Sequence, residues 1–306
     1  MPFLLEPFTA DFMLRALLGG SLCAAICAVV GTWVVVRGMA FLGEAMAHGM
    51  LPGVALATLA GVPVILGAAC SAIIMSLGVS FLARRGRLSH DTSIGLLFVG
   101  MLAAGVVVIS HSRSFATDAT AVLFGDVLAI RPGDLWLLAG ALLLTVLVAA
   151  AFHRAFMALA FDRRIAQVSG LRPRLAQVLL VGLVTLAVVA SYQAVGALLV
   201  IGLLLAPAVA ATAWTTRIPT TMALAALIGV FSVFLGLLTS WYVGTAAGAS
   251  IALAAIACAA LSSIIRGITR RRASADNPTD SFSRSFDRSA GSEPVHPSQK
   301  ALRANA

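Results

Sequence analysis

The sequence has almost no lysine and little charge of either sign. Only 11% of its 306 residues are charged, and Lys300 is the one lysine among 21 basic residues. About a quarter of the residues of an ordinary soluble domain are charged, so this composition excludes that class. A phosphate-binding loop of the pattern G-x-x-x-x-G-K-[ST] requires a lysine and is absent. If the protein uses ATP, another chain must therefore bind it.

Cysteine and histidine are too few and too scattered for most catalytic or structural metal patterns. The four cysteines, Cys23, Cys27, Cys70 and Cys258, all lie in apolar runs without a histidine at ligand spacing. They are predicted to pack among helices as small hydrophobic residues, and they do not indicate a disulfide framework. Neither an H-E-x-x-H pattern nor a Ser–His–Asp arrangement appears, which gives a hydrolase little support.

Long apolar runs dominate the chain instead. Hydrophobic residues make up 60% of the sequence and the mean hydropathy is +1.01. The net charge of +9 comes from short basic clusters between these runs, which is typical of a membrane protein and not of a nucleic-acid-binding domain. Because a spanning helix needs about 20 apolar residues, we predict an all-α polytopic transmembrane bundle of eight or nine spans. The candidates are 12–36, 40–60, 63–83, 93–110, 135–152, 175–192, 195–215, 220–241 and 247–266.

The distribution of arginine predicts the orientation of these spans. Alternate connections on one side hold 14 arginines and those on the other side hold three, Arg15, Arg113 and Arg131. Because basic residues concentrate in cytoplasmic loops, the N-terminus is predicted to lie outside and the C-terminus inside. The first set comprises Arg37, Arg84, Arg85, Arg87, Arg154, Arg163, Arg164, Arg172, Arg174, Arg217, Arg266, Arg270, Arg271 and Arg272. We expect an extracytoplasmic segment 1–11, a transmembrane domain 12–268 and a polar, disordered cytoplasmic tail 269–306.

Glu44 is the only acidic residue inside a predicted span after Asp11, and His48 follows it by four residues. Residues at i and i+4 share one face of a helix, so a carboxylate and an imidazole point into one region of the membrane. An ionisable group there costs about 2.5–3.5 kcal/mol and indicates a functional site. The alternative is a hydrogen-bonded Glu–His pair that joins helices. Pro52 and Gly53 just beyond are expected to break the helix.

Two ligands are too few for a transition metal, which binds four or more. A two-fold dimer would supply Glu44 and His48 twice. This set of oxygen and nitrogen ligands suits Mn(II), Zn(II) or Fe(II) and disfavours Cu(I), which prefers thiolates. His111, at the outer end of the fourth span, is a weaker candidate ligand.

The cytoplasmic connection 153–174 is long and mixes aromatic with basic residues. An amphipathic helix there would be a docking element for a cytosolic partner. The alternative is an ordinary basic helix lying in the membrane interface.

Several stretches together resemble the permease subunits of bacterial metal-ion ABC transporters, the ABC-3 family for manganese, zinc and iron. They occur in family order over roughly 12–268. They are VVVRGMAFLGEAMAHGMLPGVALA (34–57), DTSIGLLFVGMLAAGVVVIS (91–110), LFGDVLAIRPGDL (123–135), FDRRIAQVSGLRPRLAQVLL (161–180), AVGALLVIGLLLAPAVAA (194–211) and GASIAL (248–253).

The resemblance implies a multi-pass permease of the bacterial inner membrane that is not itself an enzyme. It would pair with a second permease copy in the lipid bilayer, with cytosolic ATPases, and with an extracytoplasmic metal-binding protein. The family motif consists of leucine, glycine, an acidic residue and alanine, then two further residues and a histidine. Its acid and histidine match Glu44 and His48, which implies that these two residues line the path of the transported ion. The usual acid is aspartate, so Glu44 is a departure. The ATPase-coupling pattern lands on Phe161, Asp162, Ala166 and Gly170.

The function indicated is therefore the permease subunit of an ATP-driven importer of Mn²⁺, Zn²⁺ or Fe²⁺, without a permanently bound cofactor. A stand-alone secondary transporter or channel is the alternative, although it would not need the coupling segment. A related permease for an iron chelate or corrinoid would have a wide apolar path without the Glu44–His48 pair.

Overall fold

The computed structural model describes residues 6–84, 90–110, 125–161 and 173–275. Eleven α-helices and two short 3-10 turns, Glu6–Thr9 and Val127–Ala129, make up this part of the chain, in which there is no strand. The α-helices are α1 (Asp11–Val36), α2 (Ala40–Gly49), α3 (Leu51–Ala60), α4 (Val64–Arg84), α5 (His90–Ser110), α6 (Pro132–Ala151), α7 (His153–Phe161), α8 (Pro173–Val195), α9 (Ala197–Thr212), α10 (Ile218–Val243) and α11 (Ala247–Ala275).

Eight stretches of helix in the described residues are long and apolar enough to cross a membrane. The second of them, Ala40–Ala60, consists of α2 and α3 together. The ninth candidate from the sequence forms α9, which has only 16 residues because it begins after Gly196. Neighbouring helices bury most of α9. The backbone at its two ends can therefore be covered by protein even though the helix is shorter than a full span. The prediction of an all-α bundle with eight or nine spans is confirmed.

Helix α1 is the centre of the bundle and packs against α6, α8, α9 and α10. Its glycines allow this close packing. A Cβ atom at Gly31 would collide with the backbone carbonyl of Leu204 in α9, so only glycine fits there. Cys23 and Cys27 are fully buried in α1 as free thiols, as expected of small core residues. Cys70 is exposed on the surface of the bundle.

Contacts at the two ends of the bundle establish which segments lie together. At one end, Trp33 of α1 lies 5.4 Å from Phe156 of α7 between ring centroids, and Arg37 is hydrogen-bonded to Gln177 of α8. We call this the Arg37 end. The alternation along the chain agrees with the spans predicted from the sequence, whereas the assignment of this end to the cytoplasm rests on the arginine count.

Aromatic contacts mark the opposite end. Phe8 stacks on Phe234 of α10 with centroids 5.2 Å apart, and Phe12 lies 6.3 Å from Trp241. Trp241 is 46% exposed and Trp136, near the start of α6, is 81% exposed. Exposed tryptophan at one level of a membrane bundle is typical of the interface between lipid and water.

The chain divides into two compact units, Met1–Leu261 and Ser262–Ala306. The first holds α1 to α10 and the part of α11 up to Leu261. The described part of the second, residues 262–275, is the C-terminal part of α11, which continues as far as Ala275. Residues 276–306 of the predicted tail lie outside the described residues, and the division into segment, membrane domain and tail stays a prediction.

Candidate functional site

Glu44 and His48 both lie on α2, one helical turn apart. Glu44 is exposed on the surface of the single chain and His48 is partly buried, whereas the three residues between them are buried. The two side chains therefore form an open stripe on a helix that is largely covered beyond its first turn. A stripe of this kind places a carboxylate and an imidazole at the boundary of the bundle.

The imidazole of His48 is held by an aromatic side chain of α5. Its ring lies edge-on to Phe98, with centroids 5.8 Å apart and an interplanar angle of 67°. Phe98 in turn meets Phe41 of α2 at 5.5 Å and 70°. The ring of Phe98 thus bridges Phe41 and His48, which lie on either side of Glu44 along α2.

Glu44 and His48 form no hydrogen bond or ion pair within the part of the chain that the structure describes. The alternative from the sequence, a Glu–His pair that joins helices by hydrogen bonding, requires such a bond. A carboxylate oxygen or a neutral imidazole nitrogen that accepts no hydrogen bond can offer its lone pair to a metal ion. The same described residues contain no group of three or more potential His, Cys, Asp or Glu ligands.

The span breaks at Met50, directly after the site, as expected from Pro52. Proline has no N–H, so the carbonyl of His48 lacks its usual helical donor and accepts from the N–H of Met50 instead. The hydroxyl of Ser71 in α4 donates to the carbonyl of Gly49 at 2.8 Å, and this bond is buried. Helix α3 then restarts with the N–H of Val54 donating to Met50 at 3.0 Å. The bond from Ser71 therefore holds the C-terminal end of α2 against α4.

The covered faces of α2 are fitted closely to its neighbours. A Cβ atom at Gly43 would lie 2.5 Å from Cδ2 of Leu204 in α9. The sulfur of Met46 lies 3.9 Å from the hydroxyl of Thr185 in α8. Together with the contact to α5, these neighbours cover most of α2 and leave Ala40, Phe41 and Glu44 exposed.

The coupling segment is described in part. Helix α7 carries its first residues and ends at Phe161. Phe156 and Leu159 are buried, and Arg154 is exposed. The remaining predicted coupling residues, Asp162, Ala166 and Gly170, lie outside the described residues, as does the candidate ligand His111.

Sequence reasoning missed the hydrogen bond between Arg37 and Gln177. The two residues are 140 positions apart, and their side chains meet at 2.7 Å. The only signal in the sequence was the position of Arg37 in the run VVVRGMAFLGEAMAH, which also holds Glu44 and His48. Nothing in a single sequence identifies a partner at that distance along the chain.

Comparison with known proteins places these features in a family. The model of the ABC 3 transport family matches residues 9–266. The manganese transport system membrane protein MntC of Halalkalibacterium halodurans is 36% identical over 245 residues, which cover 80% of this chain and 84% of that protein. The chelated iron transport system membrane protein YfeD of Yersinia pestis is 34% identical over 254 residues, covering 81% and 83%.

A solved structure shows the same likeness in three dimensions. A chain of PsaBC from Streptococcus pneumoniae, determined in complex with Fab, superposes with a TM-score of 0.74 at 28% identity and covers 85% of this chain and 94% of that one. The family match spans nearly all the described helices, including the stripe on α2 and the segment around α7. This multi-pass helical chain belongs to the ABC 3 transport family.

Proposed function

We propose that the protein is the membrane permease subunit of an ATP-driven importer of a divalent transition metal, Mn²⁺, Zn²⁺ or Fe²⁺. ATP hydrolysis then belongs to partner chains, in agreement with the lack of a phosphate-binding loop. The observation that carries the proposal is the open stripe on α2, where Glu44 and His48 lie within a span and form no hydrogen bond or ion pair among the described residues.

The ligand chemistry supports these cations. A carboxylate oxygen and an imidazole nitrogen are suitable ligands for Mn(II), Fe(II) and Zn(II). The manganese and iron relatives agree with that set. A path that stays open on one side lets a transported ion leave its ligands, whereas a closed structural site of four ligands would hold it.

Exposure of Glu44 supports a second permease copy. A carboxylate facing lipid at the level of a span would cost about 2.5–3.5 kcal/mol. Pairing the stripe of Glu44 with the same stripe of another copy removes that contact with lipid. It also doubles the ligand set, so that two carboxylates and two imidazoles line one path between the subunits.

The proposed partners act at opposite ends of the bundle. Cytosolic ATPases dock on segment 153–174 through Phe161, Asp162, Ala166 and Gly170, and the described helix α7 of this segment lies at the Arg37 end. An extracytoplasmic metal-binding protein delivers the ion at the opposite end. The lipid environment is the bacterial inner membrane, with the N-terminus outside and the C-terminus inside.

The experiment is metal uptake into proteoliposomes that contain the complete complex. Radiolabelled Mn²⁺, Zn²⁺ and Fe²⁺ are supplied outside together with the binding protein, and ATP is enclosed with the ATPase. We expect uptake of at least one cation that requires ATP hydrolysis. Equal uptake by the permease alone, without ATPase, would favour the stand-alone transporter or channel.

A further inference from the structure

One short stretch of chain at the Arg37 end contacts both the start of the coupling segment, in α7, and helix α8, in which the segment ends. On the entering side, Trp33 of α1 contacts His153 and Phe156 of α7, with ring centroids 5.5 and 5.4 Å away. On the leaving side, Arg37 Nη1 donates to Oε1 of Gln177, in the second turn of α8, at 2.7 Å. Trp33 and Arg37 are one turn apart on the same helix end.

Arg37 is also tied rigidly to the helix of the candidate metal site. Its N–H donates to the carbonyl of Trp33 at 3.1 Å. Gly38, with φ of +65°, then reverses the chain, and the N–H of Met39 returns to Val34 at 2.9 Å. Helix α2 begins at the next residue. Because this turn is short and hydrogen-bonded, a displacement of Arg37 displaces the start of α2.

Helix α8 also contacts α2 itself, further from the Arg37 end. Eight residues beyond Gln177, about 12 Å along the axis, Thr185 contacts the sulfur of Met46. Met46 lies between Glu44 and His48 in sequence. Helix α8 therefore makes two contacts with this part of the chain. One is with Arg37, just before α2 begins, and the other is with Met46, at the level of the candidate ligands.

We propose that Arg37 and Gln177 are a positioning pair that transmits movement of the ATPase-docking segment to the Glu44–His48 helix. The inference rests on the proposed function. A hydrogen bond from a guanidinium to an amide is charge-assisted and directional, so it resists sliding of α8 past the α1–α2 turn. The Met46–Thr185 contact is a weak sulfur contact and would not hold the two helices in register alone.

The test uses the complete complex in proteoliposomes and compares Arg37→Ala, Gln177→Ala, the double variant and the exchange of the two residues, Arg37→Gln with Gln177→Arg. Arg217→Ala is the matched control, because it removes an exposed arginine from the same end of the bundle. Uptake of Mn²⁺ per ATP hydrolysed is measured together with equilibrium binding of Mn²⁺ in the absence of ATP.

If the pair positions α2, each single variant lowers uptake per ATP by about fivefold or more, the range of typical coupling between sites. Binding of Mn²⁺ and assembly of the complex stay at the parental level. The double variant is no worse than either single variant, and the exchange restores part of the loss. Unchanged uptake per ATP in both single variants, or a loss of assembly in proportion to the loss of uptake, overturns the inference.

A second measurement does not depend on uptake. In a cysteine-free complex, Ala40→Cys places a thiol at the exposed first position of α2. Its reactivity with an aqueous reagent should change on addition of ATP, and Arg37→Ala should abolish that change. A change of equal size in the Arg37→Ala background overturns the positioning role. If the parental complex moves no divalent metal, it is the proposed function that fails, and this inference fails with it.

Discussion

The ring of His48 stands edge-on to that of Phe98, with centroids 5.8 Å apart. Phe98 belongs to α5 and His48 to α2, so the orientation of the imidazole depends on how these helices pack. Phe41, one turn before Glu44 on α2, contacts the same ring of Phe98. An aromatic side chain outside the ligand set thus restricts where His48 can point.

Replacing Phe98 by alanine should weaken metal binding while leaving the ligands in place. Aromatic contacts of this kind are worth about 0.5–1.5 kcal/mol, so we expect the Kd for Mn²⁺ to rise by about two- to tenfold. Val99→Ala is the control, since Val99 follows on the same helix and is 61% exposed. Equilibrium dialysis of the complete complex measures both. An unchanged Kd in Phe98→Ala would show that packing of α5 does not orient the imidazole.

Removing either candidate ligand should abolish transport. Glu44→Gln keeps the size of the side chain but loses its charge, and His48→Ala removes the nitrogen ligand. Both should reduce ATP-dependent uptake to background with normal expression and assembly, whereas Glu44→Asp keeps a carboxylate and should retain part of the activity. Glu6→Gln, which removes an exposed carboxylate outside the spans, is the control. If Glu44→Gln and His48→Ala both took up metal at the parental rate, the two residues would have only a packing role.

Acidification should weaken metal binding. Carboxylate and imidazole bind a cation only when deprotonated, so protons compete with the metal for both ligands. The Kd for Mn²⁺ should therefore rise as the pH is lowered, and the dependence should be smaller in His48→Ala. Titrations at constant ionic strength measure it. A Kd that is independent of pH would argue against these two ligands.

Labelling with a membrane-impermeant thiol reagent tests the orientation. In a cysteine-free background, Gly133→Cys at the start of α6 should react in intact cells, because nothing lies within 4 Å of its Cβ position. Arg154→Cys, exposed on α7, should react only after permeabilisation. The reverse pattern would invert the topology and move the coupling segment to the wrong side for a cytosolic ATPase.

A single methyl group at Gly31 should destabilise the bundle. The added Cβ would meet the carbonyl of Leu204 in α9, and backbone cannot move aside as a flexible side chain can. Overpacking of this kind costs about 1–3 kcal/mol, which should lower the Tm of the purified protein. Gly140→Ala on α6 is the control, because no atom lies within 4 Å of its Cβ position. Equal Tm values for the two variants would contradict the close packing of α1 on α9.

The sequence by itself determined the membrane class, the helices and the candidate ligand pair. Length and hydropathy mark a spanning helix because lipid requires about 20 apolar residues. Glu44 and His48 were recognisable because a charge within such a run is costly and a spacing of four is a property of one helix. The break before Pro52 was equally local, since proline removes one backbone donor.

Tertiary structure decided what surrounds that pair. Exposure of Glu44, the ring of Phe98 against His48 and the bond from Arg37 to Gln177 all depend on which helices become neighbours. In a membrane, helix packing depends on shape, such as the fit of Gly31 to Leu204, more than on a hydrophobic pattern, because lipid is as apolar as the helix surface. Partners 140 residues apart therefore leave no periodic signal in the sequence, and only the folded bundle brings them together.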